Sequence, residues 1–171
     1  MVIMRPTIQI LGRDVFSLPR EERAERFTQQ FCEDVAHLLE SSRMEDARYD
    51  KHSGILFVII DPREIRKELL GKKVKYLVLL NGKESRPVGL FVVEGDCDWE
   101  LEISDFFIRK EYRNKGLGAR MMKKFLAQLK KDYKGRHATL RLNVKLGNDG
   151  AERFYKRFGF SVNAKQMKRE M

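Results

Sequence analysis

The stretch "EYRNKGLGARMMKKFL", Glu111 to Leu126, decides the fold because it places two glycines directly before an apolar helix pattern. Apolar residues recur at every fourth position from Leu117 to Leu129, which predicts an amphipathic helix. The N-terminus of a helix presents unpaired backbone N–H groups and a partial positive charge, so it can bind an anion. Gly116 and Gly118 lie there, and glycine permits a positive φ and the close approach of a phosphate. The stretch therefore predicts a site for the diphosphate of a cofactor.

The positive charge of the chain is concentrated around and after this stretch. Residues 109–171 hold 19 Lys and Arg against 5 Asp and Glu, whereas residues 1–108 hold 16 against 20. This asymmetry favours an anionic ligand, although solvated helix faces would give the same counts. Aromatic residues interleaved with the basic ones leave a nucleic-acid-binding module as an alternative. The sequence disfavours nucleic acid as a partner, because the glycines would then have no purpose.

The size and composition of the chain predict one soluble domain. At 171 residues we expect a single domain over 1–171. No apolar run approaches the roughly 18 to 20 residues that cross a bilayer, and no signal peptide is recognisable. Cys32 and Cys97 match neither a metal spacing nor a disulfide framework. We therefore predict a cytoplasmic protein without a metal or a membrane partner, and its oligomeric state stays open, a homodimer included.

Periodicity and turn residues predict a meander of strands followed by alternating strands and helices. The predicted elements are a strand at 7–11, one long helix at 17–44 capped by Ser17, a short helix within 61–71, strands at 75–80, 88–94 and 99–108, a helix ending near 131, a strand at 137–144, a helix at 148–158 and a last strand at 159–169. Residues 54–60 fit a strand or the start of a helix. A parallel crossover should join the later strands. We expect an α+β fold with three α/β/α layers and a mixed sheet.

Two motifs in the C-terminal part resemble signatures of the GNAT superfamily of acetyl-CoA-dependent N-acetyltransferases. The first motif is Arg or Gln, two residues, Gly, one residue, then Gly or Ala, and Arg113, Gly116 and Gly118 match it. The second has an Asn, an Ala, a Tyr and a Gly-Phe pair, matched by Asn148, Ala151, Tyr155, Gly159 and Phe160. The resemblance covers roughly residues 75–171. It implies a mixed, splayed sheet flanked by helices, with acetyl-CoA wedged between two parallel strands.

The resemblance implies where each part of acetyl-CoA would bind. The diphosphate would lie on the turn and its backbone N–H groups, formed by Arg113, Asn114, Lys115, Gly116, Leu117, Gly118 and Ala119. The pantetheine arm would lie like an extra strand against Phe106, Phe107 and Ile108. An N–H group near Ile108 would stabilise the developing oxyanion. Asn148 would orient the pantetheine or its thiol, although an Asn at this place also caps the following helix.

The resemblance also implies direct attack of an amine on the thioester in a ternary complex. Tyr155 matches the tyrosine that protonates the leaving thiolate, although its helix would also pack a tyrosine in a core. A primary amine with a pKa of about 10.4 is mostly protonated at neutral pH, so it needs a base or a water relay. Glu102 lies where some members keep a catalytic Glu. Asp105, on the opposite parity, is the alternative, because a β-bulge could re-aim it.

The acceptor is only weakly indicated by the sequence. Acidic residues cluster near the predicted strand at 99–108 and would attract a cationic amine such as a polyamine, an aminoglycoside or a lysine side chain; they are Asp96, Asp98, Glu100, Glu102 and Asp105. A solvated loop has the same composition. The sequence distinguishes neither acetyl from longer acyl groups nor one amine from another. A non-catalytic acyl-CoA sensor is a further alternative, which the intact Tyr155 and glycines do not favour.

Overall fold

The structure, a computed structural model, describes residues 6–46, 59–71, 73–82, 86–97 and 99–163. The strands are β1 (Thr7–Leu11), β2 (Val74–Asn81), β3 (Pro87–Glu94), β4 (Glu100–Ile108) and β5 (Thr139–Leu142). The helices are α1 (Arg13–Phe16), α2 (Arg20–Arg26), α3 (Gln29–Asp46), α4 (Pro62–Leu69), α5 (Leu117–Asp132) and α6 (Asp149–Lys156), with a 3₁₀ turn at Lys110–Tyr112 before α5. None of the helices in these described ranges is long and apolar enough to cross a bilayer.

The five strands form one mixed sheet in the order β1-β2-β3-β4-β5. Neighbours from β1 to β4 are antiparallel, whereas β5 lies parallel to β4. The chain returns from β4 to β5 through α5, so the predicted parallel crossover is confirmed. An antiparallel meander with one parallel strand at its edge is the mixed sheet that the sequence predicts.

Helices cover both faces of this sheet, and each face has its own apolar core. Along β3, Leu90 and Val92 belong to the core under α3 and α4, whereas Phe91 and Val93 belong to the core under α5. Phe125 of α5 lies 5.0 Å from the ring of Phe91, edge to face. Because successive side chains of a strand point to opposite faces of the sheet, β3 contributes to both cores. The α+β fold with three layers is confirmed.

The single helix predicted over 17–44 is wrong, because the structure has two helices there. Phe27 leaves the helical region, with φ −98° and ψ 71°, and thereby separates α2 from α3. Its side chain is fully buried, and its ring lies 6.0 Å from Phe16 and 5.5 Å from Phe31. The Thr28 hydroxyl then accepts a hydrogen bond from the Phe31 N–H at 3.2 Å, as a helix cap does. Burial of one aromatic ring therefore outweighs the helical periodicity.

The predicted Ser17 cap is wrong, whereas α4 has a side-chain cap. Ser17 does not cap the long helix; it follows α1 as its C-terminal cap, and Pro19 precedes α2 without a side-chain hydrogen bond. Asp61 does cap α4, because its carboxylate accepts a hydrogen bond from the Arg63 N–H at 2.8 Å. Gly71 follows the end of this helix, and its N–H donates to the Glu68 carbonyl at 2.9 Å.

The last predicted strand, 159–169, is wrong for its described part. Residues 159–163 form neither helix nor strand, and 164–169 lie outside the described residues. Gly159 has φ 85°, a left-handed conformation that ends α6 in a turn instead of extending the chain. Of the segment 54–60, residues 59 and 60 lie outside regular structure and 54–58 lie outside the described residues.

Candidate functional site

The turn between β4 and α5 presents a row of backbone N–H groups that the described residues do not use. Gly116 begins α5 with φ 70° and ψ 2°, and Asn114 is also left-handed, with φ 57°. No described residue accepts a hydrogen bond from the N–H groups of Asn114 to Ala119. Left-handed residues in a turn bring successive N–H groups into a concave arrangement that binds anions. The local geometry is therefore that of an anion site at a helix N-terminus.

The two glycines of the motif are required for different reasons. A Cβ at Gly116 would meet nothing within 4 Å, so its positive φ is what requires glycine. A Cβ at Gly118 would lie 3.3 Å from Cδ1 of Ile108, 3.6 Å from Cζ of Phe106 and 3.7 Å from Cε2 of Phe154. Gly118 thus lets α5 approach the end of β4 and α6. Gly116 permits the backbone conformation of the turn, and Gly118 permits the turn to lie close to β4 and α6.

The two basic side chains of the turn contact the protein itself. Lys115 Nζ donates to the Glu111 carbonyl at 2.7 Å. Arg113 Nε donates to the Ile108 carbonyl at 2.6 Å, and its Nη1 and Nη2 donate to both oxygens of Glu45 at 2.6 and 2.7 Å. Sequence reasoning missed Glu45, because it lies 68 residues before Arg113 and no local signal connects the two.

The strands β4 and β5 are paired only at their beginning. Their register runs from Glu100 opposite Thr139 to Ile103 opposite Leu142, where β5 ends. The remainder of β4 continues to Ile108 with no described strand on that side. A strand edge without a neighbour can pair with an extended ligand through its main chain. This opening agrees with the splayed sheet that the resemblance implies.

A β-bulge interrupts β4 at the centre of this region. Val92 of β3 lies opposite Asp105, but Val93 lies opposite Ile103, so β4 carries one extra residue between them. The bulge changes the alternation of side chains. Asp105 therefore shares the α3 face of the sheet with Glu102, although the two residues have opposite parity in sequence. The structure thus has a bulge at the place where one could re-aim Asp105.

Glu102 is held by two residues at the end of β5. One carboxylate oxygen accepts from Asn143 Nδ2 at 2.9 Å and the other from Arg141 Nε at 3.2 Å. The Glu102 side chain is 34% exposed, so it is accessible to solvent or a ligand. Both contacts lie at the point where β4 and β5 begin to separate. They also connect β5 to β4, which gives Glu102 a structural role.

Contacts with other aromatic rings place Tyr155 beside the open edge of β4. Its ring is half-buried and lies 6.3 Å from Phe106, 5.2 Å from Phe154 and 5.6 Å from Phe160. Phe106 also contacts Phe154 at 5.4 Å, so two residues of α6 pack against the same ring. The second sequence motif, which contains Tyr155, thus packs against the end of β4. The chemical role of Tyr155 stays a prediction.

Asn148 caps the helix that carries Tyr155. Its Oδ1 accepts a hydrogen bond from the Ala151 N–H at 3.1 Å, at the N-terminus of α6. This is the capping role that an Asn before a helix predicts. The amide nitrogen of Asn148 donates to no described residue and keeps its capacity to donate. Its contact with pantetheine therefore stays a prediction.

The cysteines and the possible metal ligands give no second centre in the described residues. No group of three His, Cys, Asp or Glu side chains within these ranges could hold a metal ion. Cys32 is fully buried, and this burial raises the pKa of its thiol above the usual value. Cys97 is partly exposed in the loop before β4, and neither cysteine forms a disulfide.

A comparison with known protein families agrees with the geometry of the turn, the open edge of β4 and the tyrosine of α6. Residues 37–160 match the model described as the acetyltransferase (GNAT) family, which covers more than half of the chain. The chain therefore belongs to the GNAT acetyltransferase family, as its two motifs predict.

Individual relatives agree with this family. A protein named "Probable spermine N(1)-acetyltransferase" from Bacillus subtilis subsp. natto (strain BEST195) is 40% identical over 70 residues. The match covers 41% of this chain and 45% of that protein, so the chain spans less than half of its length. Two solved structures are similar at low identity. They are a tetramutant of the BH1408 protein from Bacillus halodurans (16% identity, TM-score 0.67, 96% and 99% covered) and the ribosomal-protein-alanine N-acetyltransferase from Brucella melitensis biovar Abortus 2308 (11%, 0.61, 98% and 100%). These two support the fold alone.

Proposed function

We propose that the protein transfers the acetyl group of acetyl-CoA to a primary amine, by direct attack of the amine while both substrates are bound. The observation that carries this proposal is the row of unused N–H groups from Asn114 to Ala119 beside the open edge of β4. A diphosphate and an amide-containing arm need these two features side by side. Membership of the acetyltransferase family supports the reaction type.

The residues of the turn fit a diphosphate by charge and by space. The first turn of α5 contains no acidic side chain that would repel an anion. The positive end of the helix dipole lies at Gly116, where the direction of a Cβ is open for at least 4 Å. We therefore assign the diphosphate to the backbone of Asn114 to Ala119. The guanidinium of Arg113 lies against Glu45 and Ile108, so we assign it no phosphate contact of its own.

The end of β4 fits the amides of pantetheine through its main chain. The side chains of Phe107 and Ile108 are mostly buried in the two cores, and Phe106 packs on α6. These side chains are used in packing, which leaves backbone groups on the β5 side for an extended ligand. Acetyl-CoA supplies an acyl group activated as a thioester. A backbone N–H near Ile108 would donate to its carbonyl oxygen as negative charge develops there.

Two proton transfers are assigned to side chains near this edge. Tyr155 would donate a proton to the leaving thiolate, and its contact with Phe106 supports a location close to the thioester. Glu102 would remove the proton of the attacking amine, directly or through water. Asp105 is the alternative base, since the bulge puts it on the same face of β4 as Glu102.

The acceptor is proposed to be a cationic amine, with polyamines as the first class to test. Glu100, Glu102 and Asp105 lie on the α3 face of β4, where acids would attract ammonium groups, although Arg141 already contacts two of them. The name of the 40% identical relative also supports spermine as a first candidate. We expect this reaction in the cytoplasm.

A screen of amines with release of free CoA thiol as the readout tests this function. Purified protein receives acetyl-CoA with spermine, spermidine, an aminoglycoside or a lysine peptide. We expect thiol release that depends on the amine and is strongest with a polyamine. No release with any amine, while calorimetry shows CoA binding, would favour the non-catalytic sensor. Absence of CoA binding would contradict the assigned cofactor site itself.

A further inference from the structure

Arg113 begins the glycine motif, yet its guanidinium binds protein groups from two other elements. Nε donates to the carbonyl of Ile108, the last residue of β4. Nη1 and Nη2 donate to the two oxygens of Glu45, one residue before the end of α3. The Arg113 and Glu45 side chains are 31% and 27% exposed, so the pair is partly shielded from water. Bidentate, charge-assisted hydrogen bonds of this kind are among the stronger polar contacts in proteins.

The guanidinium lies on the face of the sheet opposite to the α5 packing. It lies 5.2 Å from the ring centroid of Phe107, whose side chain belongs to the core under α3. Gly118, in contrast, packs against the side chain of Ile108, which belongs to the core under α5. One arginine thus connects the end of α3 and the end of β4 to the start of the turn.

The turn needs such support because it contains an uncommon backbone conformation. Asn114 follows Arg113 directly and has φ 57°, a left-handed conformation that is uncommon for a residue with a Cβ. Such residues keep their conformation when the surrounding structure holds them. The hydrogen bonds of Arg113, together with the Arg113 N–H to the Lys110 carbonyl at 3.1 Å, determine where the turn begins.

We propose that Glu45 is a positioning residue for the coenzyme site, acting through Arg113. The pair holds the turn from Asn114 to Ala119 in the conformation that directs its N–H groups towards a diphosphate. This inference rests on the proposed function, because it concerns the affinity of the same cofactor turn. It assigns the arginine of the motif to the protein framework and gives α3 a role in cofactor affinity.

The variant Glu45→Gln tests this proposal by the sign of its effect on CoA affinity. If the pair positions the turn, loss of the carboxylate weakens CoA binding in calorimetry, by about tenfold, within the usual range of coupling between linked sites. If Arg113 is instead a phosphate ligand restrained by Glu45, the same change releases the guanidinium and tightens binding. Tighter or unchanged binding would overturn the proposal.

A second variant keeps the test informative if Glu45→Gln folds poorly. Arg113→Lys keeps the charge but loses the planar fork that contacts Glu45 and Ile108 together. We expect the CoA affinity of Arg113→Lys to lie between those of the wild type and Glu45→Gln. The double variant should lose little more than Glu45→Gln, since paired residues are not additive. If the two losses of CoA affinity were fully additive, Glu45 and Arg113 would not act as a pair.

Two controls separate positioning from simple destabilisation and from failure of the function. Glu64→Gln makes the same chemical change at an exposed carboxylate of α4, 3.5 Å from Lys67, and should leave CoA affinity unchanged. A chain that is merely unstable would bind CoA at fewer sites with an unchanged Kd, whereas positioning changes Kd at constant stoichiometry. Wild-type protein that does not bind CoA would contradict the proposed function and not this inference.

Discussion

The two faces of β4 carry different kinds of side chain where the strand approaches the turn. On the α5 face, Phe106 and Ile108 make close apolar contacts with Gly118 and with the rings of α6. On the α3 face lie the carboxylate of Glu102 and the ion pair between Arg113 and Glu45. Apolar packing therefore dominates the α5 face near the turn, and charged side chains dominate the α3 face.

Under the proposed function, this difference suggests how β4 would serve two substrates. Close packing suits the acyl donor, because the turn and the tyrosine must lie at fixed positions along an extended cofactor. Charge suits the acceptor, because an amine arrives as a cation and must lose a proton. Substitutions on the α5 face should therefore disturb cofactor binding and thiol release. Substitution of Glu102 on the α3 face should disturb reactions that depend on charge and pH, whereas Glu45→Gln on that face should act on CoA affinity through Arg113.

The largest effect is expected for Gly118→Glu, on the packed face. The new side chain would begin 3.3 Å from Cδ1 of Ile108 and would bring negative charge to the diphosphate site. We expect CoA affinity to fall more than about 100-fold, beyond detection in calorimetry, because charge and bulk act together. Gly118→Ala, which adds only the tight Cβ, should lose less. Unchanged affinity of Gly118→Glu would rule out the turn as the cofactor site.

The next effect concerns Tyr155 and separates chemistry from packing. Tyr155→Phe keeps the ring beside Phe106 but removes the hydroxyl proton. We expect kcat to fall by about 100- to 1000-fold with little change in CoA affinity, as for loss of a general acid. Steady-state kinetics and calorimetry on one preparation measure both quantities. Equal losses of turnover and affinity would make Tyr155 a packing residue.

The parts of this site that could be predicted from the sequence depend on local signals. The spacing of Arg113, Gly116 and Gly118 specifies a turn and a helix start within six residues of chain. Asn148 before an apolar helix is likewise a local cap signal, and the structure has that cap. Such features involve neighbours in sequence, so a short motif contains all of their physical information.

The parts that could not be predicted depend on tertiary contacts. Glu45 reaches Arg113 only because α3 packs on the sheet beside β4, and no local pattern marks it. Phe27 interrupts the long helix because its ring is buried between two other aromatic rings. In both places the decisive energy comes from a partner distant in sequence or from burial. Periodicity alone therefore gave the wrong helix and missed the ion pair.

A smaller effect, which depends on pH, is expected on the charged face for Glu102→Gln. If Glu102 is the base, turnover at neutral pH should fall by about 100-fold, because the protonated amine loses its acceptor. The defect should shrink as pH rises towards about 10.4, since a free amine then needs no base. A pH profile of kcat/KM for the amine measures this change.

The variant Arg141→Gln is the control for the structural role of Glu102. It removes the contact between Arg141 and Glu102 but keeps the carboxylate. We expect Arg141→Gln to change activity little and without the pH dependence of Glu102→Gln. The same loss at every pH in both variants would assign Glu102 to holding β5. Asp105→Asn would then become the variant to test for the base.

The smallest effect compares Gly116 with Gly135, near the other end of α5. Their φ values are 70° and 75°, and a Cβ at either position would meet nothing within 4 Å. Replacing either residue by Ala should lower the free energy of unfolding in urea by about 1 kcal/mol, since a left-handed conformation is strained for alanine. Only Gly116→Ala should also weaken CoA binding, because its turn contains the row of N–H groups from Asn114 to Ala119 that we assign to the diphosphate. If both variants bind CoA as the wild type does, the conformation of the turn does not determine affinity, and packing at Gly118 alone explains the site.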